Sequence, residues 1–147
     1  MHLKNATKHI LAFDFGTKSI GVAHADMEAY ALAACCDELV PIPATEGIPN
    51  WDDIKALLDE YKTTKVIVGL PFDSQGKDME ITRRARKFGN RLKGMFNADV
   101  EFVDETLSTK EAKIEAETRG HKGHYKSAPV DSIAARLILE SWLHQHH

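Results

Sequence analysis

The chain has 147 residues, of which 43% are apolar and 28% charged, a composition typical of a folded domain and not of a disordered tail. Its formal net charge is -3, so any nucleic-acid partner has to be bound by a local basic surface. The longest segment without a charged residue has eight residues, far fewer than the roughly 20 that span a bilayer. We therefore expect one cytoplasmic domain over residues 1–147 that makes no membrane contact.

The first third of the chain predicts three strands. The apolar runs His9–Phe13 and Ile20–Ala25 are separated by a polar stretch that contains glycine, which is typical of a hairpin. A third candidate strand extends from about Tyr30 to Val40, and we expect Pro41 and Pro43 to end it.

The remaining two thirds alternate between helices and strands. In order, the pattern predicts a helix capped by Asn50, a strand at Lys65–Leu70, a helix at Asp78–Phe96, a strand at Val100–Val103, a helix that starts after Ser108 and ends at Gly120, a basic loop over Gly120–Lys126, and a C-terminal helix. Hairpins followed by alternating units predict an α/β fold, a mixed sheet with an antiparallel hairpin edge and helices on both faces.

Acidic residues stand where predicted strands end or a helix begins. Asp14 follows the first strand, Asp104 and Glu105 follow the last, and Asp131 is in the first turn of the C-terminal helix. Each alone is an ordinary turn or helix-start residue. Three carboxylates that converge repel one another unless a cation holds them ionised. Their hard oxygen atoms favour Mg²⁺ or Mn²⁺, ions that commonly serve phosphodiester hydrolysis.

Four sequence blocks carry a family resemblance: Asp14–Ala23, Val68–Pro71, Asp104–Thr109 and Val130–Ala135. In this order, and over His9 to Leu143, the chain closely resembles the YqgF family, also called RuvX-like. The resemblance implies an RNase H-like fold and a metal-dependent nuclease in which Asp14, Glu105 and Asp131 are the catalytic acids and metal ligands. The family is described as maturing the 5′ end of pre-16S ribosomal RNA and as resolving Holliday junctions. Of these substrates we expect the ribosomal precursor.

The segment Lys77–Lys93 contains seven basic and two acidic residues. Basic clusters are usually solvated helix faces, but beside an acidic metal site this one is a candidate phosphate-binding surface. The candidate nucleic-acid contacts are Lys18 in the first hairpin, Arg83, Arg86, Lys87 and Arg91 on the predicted helix, and Lys122 and Lys126 in the basic loop.

Several alternatives stay open at this point. Thr106 stands where the family usually has Arg, which leaves room for a module that binds nucleic acid without cutting it. Resolution of a four-way DNA junction favours a two-fold dimer, and the sequence allows either a monomer or a weak homodimer. The Asp14-x-Gly16-Thr17 hairpin is also similar to the phosphate-binding hairpin of the sugar kinase, actin and heat-shock ATPase superfamily. The sequence does not decide whether Asp104 or Glu105 faces the metal.

Overall fold

The computed structural model describes residues 8–28, 36–105 and 128–146, and within the last range the side chains of residues 132–145. Six strands form one sheet in the order β4-β3-β2-β1-β5-β6. The strands are β1 (His9–Asp14), β2 (Ser19–Asp26), β3 (Asp37–Thr45), β4 (Ile48–Pro49), β5 (Lys65–Leu70) and β6 (Asp99–Asp104).

The sheet is mixed, as the sequence predicts. Strands β1 to β4 pair antiparallel in chain order, whereas β5 pairs parallel with both β1 and β6. The carboxyl ends of β1, β5 and β6 therefore lie at one edge of the sheet. In α/β sheets, ligands commonly bind at this edge.

Helices cover both faces of this sheet. Helices α1 (Trp51–Tyr61) and α2 (Glu80–Phe96) pack on one face, and α3 (Ala128–His146) packs on the other. The Asn50 side chain accepts a hydrogen bond from the Asp52 backbone N–H, which confirms the predicted cap of α1. Strand alternation separates the two cores, because Leu11 and Phe13 face α1 and α2 while Ile10 and Ala12 face α3.

The predicted end of the third strand is wrong, because β3 continues through Pro41 and Pro43 to Thr45. Pro41 lies at a bulge, since Ile20 pairs with Ile42 but Val22 pairs with Leu39. The Ala44 backbone N–H donates to the Lys18 carbonyl, so the nitrogen of Pro43, one residue earlier, faces the outer edge of the strand. Bulges and edges are the places where a sheet tolerates proline.

The other boundaries that the structure describes agree with the predicted ones within two residues. β5 has the predicted bounds, and α2 begins at Glu80 instead of Asp78. The predicted helix after Ser108, the basic loop, and residues 30–35 of the predicted third strand lie outside the described residues. None of the helices that the structure describes is long and apolar enough to cross a membrane.

Candidate functional site

Asp14 ends β1 at the edge where the parallel strands terminate, and it is half-buried. Ile10 and Ala12 belong to the apolar cluster beneath α3, and strand alternation directs Asp14 to that same face. Phe13 is paired with Val68 of β5. One residue further along, Asp14 is therefore level with Gly69.

Glu105 follows β6 and is directed inward. Its backbone N–H donates to the Leu70 carbonyl at 3.0 Å, which continues the ladder by one residue. Its side chain is only 4% exposed, and its Oε1 lies 2.6 Å from the position that a Cβ on Gly69 would occupy. Asp104, in contrast, is exposed. The structure thus orients Glu105, and not Asp104, toward the face that carries Asp14.

Gly69 supplies the space that the Glu105 side chain occupies on the face that carries Asp14. β5 lies between β1 and β6, and neighbouring strands are about 4.8 Å apart. The Glu105 carboxylate extends from the end of β6 to a position over β5, because Gly69 has no side chain there. A Cβ there would also lie 2.5 Å from Cδ1 of Ile138 in α3. Gly69 therefore leaves room for the side chains of both Glu105 and Ile138.

The first turn of α3 is fixed on the other side of Asp14. The Ser132 hydroxyl donates to the Leu39 carbonyl and accepts from the Val22 backbone N–H, 3.5 Å away. Val22 neighbours Gly21, the residue paired with Asp14. The backbone of Asp131, directly before Ser132, is helical, whereas its side chain lies outside the described part of the chain. The sequence gives no sign of the role of Ser132 beyond its place between Asp131 and the buried helix face.

The basic residues of α2 lie on the sheet face opposite to α3. Three of them pair with the two nearby acids: Arg83 and Arg84 bond Glu80, and Arg86 bonds Asp78 through both of its terminal nitrogens. The hydrogen bond from Arg86 lowers the pKa of Asp78 below its ordinary value.

Two other cations of α2 approach the acidic edge. Lys87 and Arg91, together with Arg84, line a cavity that also includes Phe15, the residue after Asp14. Lys18 is exposed in the turn between β1 and β2. Lys122 and Lys126 lie outside the described residues. The basic residues of α2 therefore lie on the face opposite to the acids, and three of them share a cavity with Phe15 at the end of β1.

The carboxylates of Asp14 and Glu105 are the kind of oxygen ligand that a hard divalent cation requires. Asp14 and Glu105 share one sheet face and one edge, and carboxylate oxygens are the preferred ligands of Mg²⁺ and Mn²⁺. Within the part of the chain whose side chains are described, no group of three His, Cys, Asp or Glu residues is arranged to hold a metal ion. The third predicted ligand, Asp131, is not among those side chains.

Comparison with known proteins identifies the family and the fold of the chain. The model of the RuvX family, described as Holliday junction resolvase, matches residues 8–145. A "Putative pre-16S rRNA nuclease" from Saccharophagus degradans is 56% identical over 137 residues, which cover 93% of this chain and 94% of the relative. The protein of the same name from Chromohalobacter salexigens is 48% identical over 133 residues, 90% of this chain and 87% of the relative.

A solved structure of T. thermophilus RuvC in complex with Holliday junction substrate superimposes with a TM-score of 0.53 at 13% identity, covering 94% of this chain and 96% of that one. The mixed sheet with helices on both faces is thus an RNase H-like domain, as predicted. Because the family model matches nearly the whole chain, the protein belongs to the RuvX family.

Proposed function

We propose that the protein is a divalent-metal-dependent nuclease whose catalytic acids and metal ligands are Asp14, Glu105 and Asp131. The observation that carries this proposal is the buried Glu105 carboxylate, which crosses Gly69 toward the register position of Asp14. A carboxylate held out of water is costly to ionise, and a divalent cation between two carboxylates offsets that cost. We also propose that residues 1–147 form a single domain.

The chemistry follows from the donors at this edge. When bound, Mg²⁺ or Mn²⁺ supplies Lewis-acid polarisation of the phosphate and activation of the attacking water. Glu105, fixed by its backbone bond to Leu70 and by its contact with Gly69, keeps one ligand in position before substrate arrives. Asp14, at the carboxyl end of β1, supplies a second ligand.

The substrate is held by phosphate contacts. Lys18 lies four residues after Asp14, and the cations of α2 reach the same edge beside Phe15. We propose Lys18, Arg83, Arg86, Lys87, Arg91, Lys122 and Lys126 as the nucleic-acid contacts, with binding that weakens as salt rises.

We propose the 5′ end of pre-16S ribosomal RNA as the substrate, and the cytoplasm as the place of action. The support is the name of the relatives at 56% and 48% identity. The second candidate is a four-way DNA junction, which the description of the matching family model favours. Symmetric cutting of a junction requires a two-fold dimer, so the mass in solution separates the two candidates, and a strict monomer favours RNA.

The decisive experiment compares four substrates in Mn²⁺ and in Mg²⁺: precursor leader RNA, single strands, duplex and a four-way junction. We expect cleavage of the leader, loss of cleavage with EDTA, and loss in the Asp14→Asn variant. Asp26→Asn is the matched control, because Asp26 ends β2 at the opposite edge of the sheet. Activity that survives Asp14→Asn refutes the proposed site. Binding without cleavage in either metal identifies a non-cutting module.

A further inference from the structure

A small cavity with aromatic walls lies at the end of β1, beside the proposed site. Its apolar side consists of three aromatic residues and one aliphatic residue: Phe15, Trp51, Phe88 and Ile48. The rings of Trp51 and Phe88 are stacked with centroids 5.9 Å apart, and Phe15 contacts Phe88 at 5.5 Å. Phe15 directly follows Asp14. We call this cavity, with the residues that line it, the aromatic pocket.

Cations surround the aromatic pocket on the α2 side. Arg84, Lys87 and Arg91 line it at spacings of three and four residues, so they lie on one side of the helix. All three are exposed. Arg84 also bonds Glu80. Arginine guanidinium and lysine ammonium groups bind phosphate. Aromatic rings beside them are suited to contact a planar ring attached to that phosphate.

The turn between β3 and β4 forms the opposite wall. Glu46 and Gly47 both have positive φ, 51° and 83°, and the Gly47 backbone N–H donates to the Thr17 carbonyl at 2.8 Å. A Cβ on Gly47 would lie 2.7 Å from Cζ of Phe15, so the glycine lets the turn close onto that ring. Glu46 adds an acidic residue to a lining whose other side chains are basic, aromatic or, at Ile48, aliphatic.

We propose that the aromatic pocket takes one unpaired base of the nucleic-acid substrate, with the adjoining phosphates on Lys87 and Arg91. This inference rests on the proposed nuclease function and adds a subsite to it. The cavity volume is about 230 Å³, below the roughly 300–1,000 Å³ of pockets that enclose a whole small ligand. That size suits a single base whose sugar and phosphates stay outside.

The chemistry of the lining favours a base over another planar group. Bases stack on aromatic side chains in proteins that bind single strands, and a carboxylate accepts from an exocyclic amino group such as that of cytosine. A paired base is not available to such a pocket. The subsite therefore selects single-stranded substrate, and it fixes the distance from the bound base to the phosphate at Asp14.

The test uses the full chain in a Trp142→Phe, Asp14→Asn background, in which Trp51 is the only tryptophan and cleavage is prevented. Single-stranded RNA is titrated with an abasic site placed at each position in turn. We expect one position where the abasic site weakens binding about 5- to 150-fold, and where the quenching of Trp51 fluorescence by intact RNA is lost. Glu46→Gln is expected to alter the base preference there. Lys55→Ala is the matched control, because Lys55 is an exposed residue of α1 that does not line the pocket.

The proposed subsite is contradicted if the abasic site weakens binding at no position, a result called here a flat scan. It is also contradicted if Trp51 fluorescence does not change when RNA binds. A free nucleoside monophosphate that binds the pocket as tightly as RNA assigns it to a small molecule and also overturns the proposal. The chain with native Asp14 is assayed in parallel. Cleavage with a flat scan rejects the subsite alone, whereas a sensitive position without cleavage rejects the nuclease and keeps the subsite.

Discussion

Glu105 lies across Gly69, with its Oε1 2.6 Å and its own Cβ 3.2 Å from the position that a Cβ on Gly69 would occupy. Cδ1 of Ile138 approaches the same position to 2.5 Å. One missing side chain therefore does two things. It lets a carboxylate from β6 cross the central strand toward Asp14, and it lets α3 pack closely against β5.

Gly69→Ala is expected to disturb both relationships. Because the new methyl group meets Ile138 and Glu105 at less than contact distance, we expect a loss of about 1–3 kcal/mol in the free energy of unfolding. We also expect nuclease activity to fall more than about tenfold, because the carboxylate has to move from its position. Urea unfolding and a cleavage assay measure the two effects.

Two further variants separate these effects. Gly69→Ala/Ile138→Val removes the Cδ1 contact but not the Glu105 contact, so stability should partly recover while activity stays low. Gly94→Ala is the matched control, because no described residue outside its own stretch of helix comes within 4 Å of the Cβ position. Within α2 the change should stabilise by about 0.5–1 kcal/mol. Full activity of Gly69→Ala would contradict the proposed path of the Glu105 side chain.

Substitution of the two adjacent acids tests their different orientations. Glu105→Gln keeps the shape of the side chain of a residue that is 4% exposed but removes its charge. We expect the cleavage rate to fall more than about 100-fold. Loss of a group that only hydrogen-bonds a metal ligand already costs about 10–100-fold in activity, and Glu105 is a proposed ligand itself. Asp104→Asn, on the exposed neighbour, should retain activity within a few fold. Equal losses in initial-rate assays at saturating Mn²⁺ would show that both acids act at the site.

The sequence predicts the fold well wherever one pattern dominates. Lys65–Leu70 is apolar on consecutive residues, and it is the strand buried on both faces. The error at Pro41 and Pro43 has a tertiary cause, since only the pairing partners of β3 decide which backbone nitrogens need an acceptor. A single sequence does not contain that information.

The candidate site is predicted in part for a similar reason. Period-2 alternation places Asp14 and Glu105 on one sheet face once the register is known, but the sequence does not give the register that sets Gly69 between them. The aromatic pocket was not predicted at all. It joins Phe15 to Trp51 and to α2, residues far apart in the chain that only the three-dimensional packing brings together.

Ser132→Ala tests how the first turn of α3 is held. The Ser132 hydroxyl bonds Leu39 and Val22, and its removal leaves the part-buried Leu39 carbonyl and the buried Val22 N–H without this partner. We expect a loss of about 1–3 kcal/mol in unfolding free energy, with a fall in activity because Asp131 precedes Ser132. Ser141→Ala, on the exposed side of the same helix, should change neither. Unchanged stability of Ser132→Ala would refute the anchoring role.

His24 makes stability depend on pH. Burial is the main cause that lowers its pKa below 6.5, and His9 adds to this, whereas Asp37 and Asp26 act in the opposite direction. The folded state therefore disfavours the proton. This contribution to stability is fully present above pH 6.5, where the unfolded state is also neutral, and it is lost as pH falls through the folded pKa.

We therefore expect the unfolding free energy to decrease below about pH 6.5, and His24→Gln to flatten that decrease. Urea unfolding of both proteins across this range measures the difference. His144→Gln, on an exposed residue of α3, is the matched control. Parallel profiles for His24→Gln and the unsubstituted protein would contradict the assignment.

The basic surface of α2 is tested by the salt dependence of binding. Each phosphate contact to a single strand contributes about 0.7 to the slope of log affinity against log salt. Arg83→Ala/Lys87→Ala should therefore lower RNA affinity and reduce the slope by at most about 1.4. The reduction is smaller if, in the unsubstituted protein, Arg83 keeps its ion pair with Glu80 when RNA binds. Lys8→Ala/Lys55→Ala removes the same charge from residues paired with Glu28 and Asp59. Because the net charge of the two double variants is equal, a slope that falls equally in both would mean that overall charge, and not this surface, governs binding.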